Sequence, residues 1–325
     1  MVSTRHVQRF ARLAVTTAVA GYLLIVVGGT VRVTGAGMGC GPNWPLCNGE
    51  VIPGWDILAW TEFIHRLIAL SVILLTGLLA IAGRRVRHVN PWYGRLSLAV
   101  PGLVLFQAML GAITVFTHTD ALAVTIRLGV GLSFLALTLT LAFLAVVPAT
   151  RDRATVAPAS RLRPWALAAA GGVFAVMLTG AYTAKSGASL ACTAWPDCDG
   201  QWIPTGWSPV DVQLTHRLLA AVATLLIVLA AVQAQRLRAD APLLGTISRT
   251  AVILMAIQVL VGAANIWFEL AQVVRIAHLA VAALIWTLAV LVCLLDWHLP
   301  VRAPAGRPQR VTPNVQPRVS HPPVS

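Results

Sequence analysis

Three of the histidines lie where an ionisable ring is costly. His65, His216 and His278 each fall inside a long apolar run, within about two turns of one end at a rise of roughly 1.5 Å per residue. Ionisable groups in such runs are functional candidates by default. His216 and His278 occupy the second and fourth runs of the second half of the chain at similar depth, so one metal can be reached by both rings from opposite sides. A bis-imidazole haem fits that arrangement. Zinc takes four protein ligands, or three and water, and only Asp211 and Glu269 are near that depth.

Around His65 the set differs. Glu62 precedes it by three residues, which puts both on one helix face, while Arg127 stands where a second histidine would be and Gln213 stands where the second half would have its glutamate. Two histidines without a carboxylate suit a six-coordinate iron for electron transfer. One histidine with a carboxylate leaves iron more open and adds an acid or base. Arg66 and Arg217 follow His65 and His216 directly, so they leave the histidine faces and have haem propionates or lipid headgroups as candidate partners. Arg32 and Lys185 are similar candidates.

Helices in a bilayer must position these residues. The chain has 325 residues, 58% of them apolar and 11% charged, with a mean hydropathy of +0.78, whereas soluble domains carry about 25% charge. Eight runs are long enough to span hydrocarbon, at about 13–31, 58–82, 96–116, 121–147, 164–184, 212–234, 250–268 and 270–295. The formal charge of +13 is placed at the ends of these runs. Arginines gather at Arg5, Arg9 and Arg12, at Arg84 to Arg95, at Arg151 to Arg163, at Arg236 to Arg249 and beyond Arg302, whereas only Asp152, Asp240 and Asp296 of the acids share that side. This is an orientation signal that puts both termini in the cytoplasm, and it excludes a nucleic-acid partner.

Comparison of the chain with itself supplies the architecture. Cys40 to Pro53 matches Cys192 to Pro204 with one residue fewer between the second pair of cysteines. From there the offset is 151, placing Glu62 on Gln213, His65 on His216, Arg66 on Arg217, Gln107 on Gln258, Gly111 on Gly262 and Arg127 on His278. The expected fold is an all-α integral membrane protein whose eight transmembrane helices form two parallel four-helix-bundle repeats, related by a pseudo-twofold axis along the membrane normal. The expected divisions are a cytoplasmic N-terminus over 1–12, an N-terminal four-helix half over 13–147, a cytoplasmic linker over 148–163, a C-terminal four-helix half over 164–296 and a disordered cytoplasmic tail over 297–325. Because the first run has a counterpart in the second half, it reads as a retained helix rather than a cleaved signal peptide.

Cys40, Cys47, Cys192 and Cys198 sit in the outer loops, on the oxidising side, where short local disulfides within each pair are the natural reading and redox participation is the alternative. Cys293 reads as a small buried hydrophobe.

The chain resembles the haem A synthase family. The resemblance is carried by GGTVRVTGAGMGCGPNWPLC, by Glu62 to Arg66, by Gln107 to Val115, by Leu214 to Arg217 and by the His278 helix, and covers about residues 10–296. It implies oxidation of a methyl group of haem O to the formyl group of haem A for terminal oxidase biogenesis. It further implies a haem b cofactor ligated by His216 and His278, and a haem O substrate handled by His65 and Glu62. Implied partners are haem O synthase, terminal oxidase assembly factors, a quinol or other electron donor and membrane lipid, with a homo-oligomer left open and the cell membrane as the location. The family has a histidine where this chain has Arg127; His118, nine residues earlier in the outer loop, is one candidate substitute ligand, and loss of activity and a five-coordinate substrate haem are both open. The competing readings are a non-catalytic b-type cytochrome taking electrons from quinol, a membrane thiol–disulfide oxidoreductase and a transporter.

Overall fold

The computed structural model describes residues 4–42, 45–116, 120–147, 161–237, 239 and 241–298. Trp44, His118, Arg151, Asp152, Arg153, Arg238, Asp240, nearly all of the expected linker and all of the tail beyond His298 lie outside them. Eight long helices carry the chain: α1 Thr4–Val33, α2 Ile57–Val86, α3 Pro91–Phe116, α4 Ala121–Val146, α5 Arg163–Lys185, α6 Pro209–Arg236, α7 Pro242–Trp267 and α8 Gln272–His298. All eight are long and apolar enough to cross a membrane.

Capping fixes several helix starts. The Asp56 carboxylate accepts the Ala59 N–H at 2.7 Å to open α2, and Asp120 accepts the Leu122 N–H at 3.1 Å to open α4. Ser208 and Asp211 close a reciprocal capping box on α6, satisfying donors that a helix leaves orphaned. Arg84 and Arg85 in the last turn of α2 meet the negative end of its dipole.

Most helices overrun the apolar runs that announced them. α1 takes in most of the segment expected as a cytoplasmic N-terminus over 1–12, and α8 extends past residue 296 to His298. Both extensions are polar or aromatic turns that continue the backbone beyond the hydrocarbon. α8 starts at Gln272 rather than 270 because Glu269 and Leu270 have φ of 45° and 62°, a left-handed turn that no helix can contain.

Within each half the helices pack in a ring. α1 meets α2, α2 meets α3, α3 meets α4 and α4 returns to α1, while α5 to α8 repeat the same cycle. The halves join through α1 against α8, α4 against α5, and α4 against α8 at the centre, which is the contact set of a pseudo-twofold pair. Small residues permit close approach, as membrane helices require: Ala169, Ala223 and Ala230 are buried between α5 and α6, and a Cβ on Gly172 would lie 3.2 Å from Leu226 Cδ1. Hydrogen bonds tie the halves, with Tyr22 Oη donating to the Ala280 carbonyl at 3.1 Å and Trp286 Nε1 to the Leu132 carbonyl at 3.0 Å.

The loops after α1 and α5 are copies. Each turns through a left-handed glycine, Gly35 or Gly187, into a short 3-10 helix. Each then closes a disulfide, Cys40–Cys47 or Cys192–Cys198, and an isolated bridge at Cys47 with Glu50 or at Cys198 with Gln201. Both expected pairings are present, and Cys293 is free and half-buried.

Candidate functional site

α2 and α4 face each other across the diagonal of the first ring, and α6 and α8 across the diagonal of the second. His65 lies about 12 Å along α2 from its start and Arg127 about 9 Å along α4; His216 and His278 lie at about 10 and 9 Å along α6 and α8. Each bundle therefore presents two side chains at one depth, on opposite helices, near the end that carries the disulfide loop. All four are half-buried.

A glycine of a neighbouring helix backs each of the four. A Cβ on Gly28 of α1 would stand 3.1 Å from His65 Cε1, and one on Gly180 of α5 would stand 2.8 Å from His216 Cε1. Gly262 of α7 gives 3.3 Å to His278 Cε1, and Gly111 of α3 gives 3.4 Å to Arg127 Nη2. The missing Cβ is what gives the three histidine rings their room, while Gly111 is in ordinary contact with the guanidinium. A glutamine one turn from the α3 and α7 glycines completes the frame. Gln107 Nε2 donates to the Arg127 carbonyl at 2.9 Å, and Gln258 Nε2 to the His278 carbonyl at 3.0 Å. Arg127 thus occupies the structural place of His278, as the 151-residue offset requires. The Oε1 atoms of both glutamines are buried without a hydrogen-bond partner.

Glu62 and Gln213 stand behind the histidines and grip the loops. Glu62 is buried; its Oε2 accepts the Cys40 N–H at 2.9 Å, and its Oε1 takes Arg66 Nε at 3.0 Å together with Arg66 Nη2. Gln213 does the same work without charge, Oε1 accepting the Cys192 N–H at 2.7 Å and Nε2 donating to the Ser189 carbonyl at 2.8 Å. Arg66 also reaches the Leu46 carbonyl at 3.3 Å. Arg217 donates to the carbonyls of Ala194 at 3.0 Å, Pro196 at 3.2 Å and Asp197. Both arginines therefore point into the cysteine loops, and their first partners are backbone carbonyls and, for Arg66, Glu62. In the second loop the Thr193 hydroxyl and amide bond to Asp199 at 2.7 and 3.2 Å, which holds that carboxyl below the usual carboxylate range.

A family profile described as cytochrome oxidase assembly protein matches residues 11–57 and 55–290. The chain is 36% identical over 223 residues to the haem A synthase of Shouchella clausii, covering 66% of this chain and 73% of that protein. It is 31% identical over 270 residues to the haem A synthase of Geobacillus thermodenitrificans, covering 82% and 84%. The haem A synthase of Symbiobacterium thermophilum is 35% identical over 216 residues, or 63% and 69%. The chain belongs to the haem A synthase family.

In the second bundle of this haem A synthase family member, His216 and His278 are the residues that would hold a haem. Among the described residues no three His, Cys, Asp or Glu side chains converge as a metal site. A metal between α6 and α8 would therefore have to bring its remaining ligands with it, as a porphyrin does. The glycines at 180 and 262 seat the two rings, Gln258 Nε2 lies 3.2 and 3.3 Å from Nδ1 and Nε2 of His278, and Gln258 Oε1 is buried without a hydrogen-bond partner. In the first bundle His65 Nδ1 is likewise buried without a partner. Asp211 serves its helix cap, and Glu269 lies in the turn before α8, so neither joins the histidines. Sequence reasoning missed Gly28, Gly180 and Thr179, whose hydroxyl lies 3.3 Å from His216 Nδ1. Extending the repeat backward through the first loop, at an offset of 152, would have paired the two glycines.

Proposed function

We propose that this chain is a haem A synthase in the chemical sense, oxidising a methyl group of haem O to the formyl group of haem A in the service of terminal oxidase assembly. The division of labour follows the two bundles. The supporting observation is their asymmetry on a shared frame: His65 with Arg127 and Glu62 in one, His216 with His278 and Gln213 in the other.

His216 and His278 would hold haem b, and the chemistry it would supply when bound is electron transfer. The first half, 13–147, binds haem O as substrate, with His65 as the protein ligand to its iron. Arg127 is no ligand, because a guanidinium has no lone pair to offer. It instead brings a permanent positive charge to the substrate side, suited to a propionate or another anion. Glu62 is the candidate acid or base for the hydrogens leaving the methyl carbon. Its Oε1 is engaged by Arg66 and its Oε2 by the Cys40 N–H, and Arg66 has the Leu46 carbonyl as a second partner. The arginine-rich flanks support a cell-membrane protein with both termini in the cytoplasm and the disulfide loops outside; the methyl carbon is oxidised by an oxidant of the dioxygen class, which is reduced to water with further electrons from a quinol or other donor.

The test is expression of this chain together with a haem O synthase, followed by mass identification of the extracted haem. Haem A is expected, and its absence beside intact haem b overturns the reaction. His216→Ala and His278→Ala should each abolish the low-spin optical signal; survival of that signal in both overturns the ligand assignment.

A further inference from the structure

The two bundles differ in what stands behind each histidine. On α5, Thr179 Oγ1 lies 3.3 Å from His216 Nδ1, and 3.2 and 3.1 Å from the carbonyls of Ala175 and Val176. A hydroxyl has one hydrogen and two lone pairs. With the hydrogen committed to the carbonyls of the preceding turn, the oxygen faces the ring as an acceptor. His216 must then carry its proton on Nδ1, which leaves the lone pair of the neutral ring on Nε2.

The matching position on α1, 152 residues earlier, is Val27. It offers no polar atom, and His65 Nδ1 is buried without a hydrogen-bond partner. The comparison is between equivalent rings in equivalent seats, since Gly180 and Gly28 meet the same Cε1 edge of each.

We propose that Thr179 is a positioning residue that fixes the Nδ1–H form of His216 and presents its Nε2 to iron, and that Val27 leaves His65 without this hold. The second-half ligand is thereby made permanent and the first-half ligand exchangeable, as a resident cofactor and a transient substrate respectively require. The inference rests on the reading of His216 and His65 as iron ligands. Its physical basis is that a partner on the far nitrogen of a ligating imidazole fixes ring orientation and raises donor strength, with a cost of about 10–100-fold in affinity when that partner is lost.

The test uses the full-length protein with haem b bound. Thr179→Val, nearly isosteric, should weaken haem b retention about 10–100-fold and raise the midpoint potential, because a weaker donor stabilises ferric iron less. Thr179→Ser, which keeps the hydroxyl, should restore both. Val27→Thr, which leaves the second bundle untouched, should slow release of bound haem O from the first. A Thr179→Val protein with unchanged potential and retention overturns the role of Thr179, and unchanged haem O release in Val27→Thr overturns that of Val27. His216→Ala separates this from the underlying reading: if the low-spin signal survives there, the ligand assignment itself has failed.

Discussion

Glu62 is the residue on which a catalytic and a purely structural role make different demands, and the second bundle supplies the control. Glu62→Gln converts the site to the chemistry of Gln213, which already holds an equivalent loop. The amide oxygen can keep the Cys40 N–H, now 2.9 Å from the carboxylate, while the amide N–H₂ takes the place facing Arg66, which turns to the Leu46 carbonyl it already reaches at 3.3 Å. What disappears is the charge assistance to Arg66, whose side chain is 23% exposed and 10% for Glu62 itself. An ion pair at that exposure is partly screened, so the loss is about 1 kcal/mol. Glu62→Ala is different. It strands a buried Cys40 N–H, costing about 1–3 kcal/mol, and leaves Arg66 without its carboxylate, for a total of about 2–4 kcal/mol.

Two measurements on each variant separate the roles: the thermal midpoint for loss of the haem b absorbance, and haem A recovered from membranes that also make haem O. Glu62→Gln should lie close to the unmodified protein in the first and lose haem A in the second, while Glu62→Ala should fall in both. Full haem A yield from Glu62→Gln would refute the acid–base role and leave Glu62 as a loop anchor. Equal thermal loss in the two variants would refute the equivalence with Gln213 on which the magnitudes rest.

The glycine seats predict a graded pair: Gly180→Ala places a Cβ 2.8 Å from His216 Cε1 and should cost haem b retention most and Gly262→Ala at 3.3 Å from His278 Cε1 less, while Gly111→Ala, in the other bundle at 3.4 Å from Arg127, should leave it unchanged, with overpacking worth about 1–3 kcal/mol at the tight end; equal retention across the three, read by absorbance after detergent extraction, would contradict it. Peptide mapping without reduction should return Cys40–Cys47 and Cys192–Cys198 with Cys293 free, and opening either short loop should cost about 2 kcal/mol of thermal stability; bridges between the halves would refute the pairing. Electron paramagnetic resonance of protein loaded with haem O should show a high-spin signal beside the low-spin one, and Arg127→His should convert it to low-spin; two low-spin bis-histidine signals in the unmodified protein would refute the single-ligand substrate site.

The eight spans and the duplication are legible in the sequence because each rests on a strong signal: a bilayer demands about 20 apolar residues in a row, and the cysteine loops fix the offset. Helix ends are less legible, since hydropathy marks hydrocarbon rather than backbone. α2 continues through Gly83, Arg84 and Arg85 to Val86, well past its apolar run. The aim of Arg66 and Arg217 is not legible at all. Adjacency to a histidine says only which face they leave; the carbonyls of Leu46, Ala194 and Pro196 reach them through the tertiary path of the loops. Thr179 escaped for a different reason. Its value lies in the contrast with Val27, visible only when the repeat is aligned upstream of the loop.

That contrast is part of a pattern. The positions that build the frame are the same in both halves: Gly28 and Gly180, His65 and His216, Arg66 and Arg217, Gln107 and Gln258, Gly111 and Gly262. The positions that set chemistry differ: Val27 against Thr179, Glu62 against Gln213, Arg127 against His278. Each change moves the first bundle the same way. On the proposed reading, Val27 withdraws a hold on the ligand ring, Arg127 withdraws a ligand and adds a charge, and Glu62 adds a group that can exchange a proton. Each also carries a cost in a bilayer, where a buried charge or an unpartnered ring nitrogen is unfavourable, and the first bundle bears all three without disturbing the loop or the helix ring it shares with the second. Drift in a merely redundant copy would relax toward apolar residues at these depths. A buried glutamate and a guanidinium held across the bundle from a histidine are the opposite outcome, which is why the asymmetry supports one bundle for a resident haem and one for a haem that is changed and released.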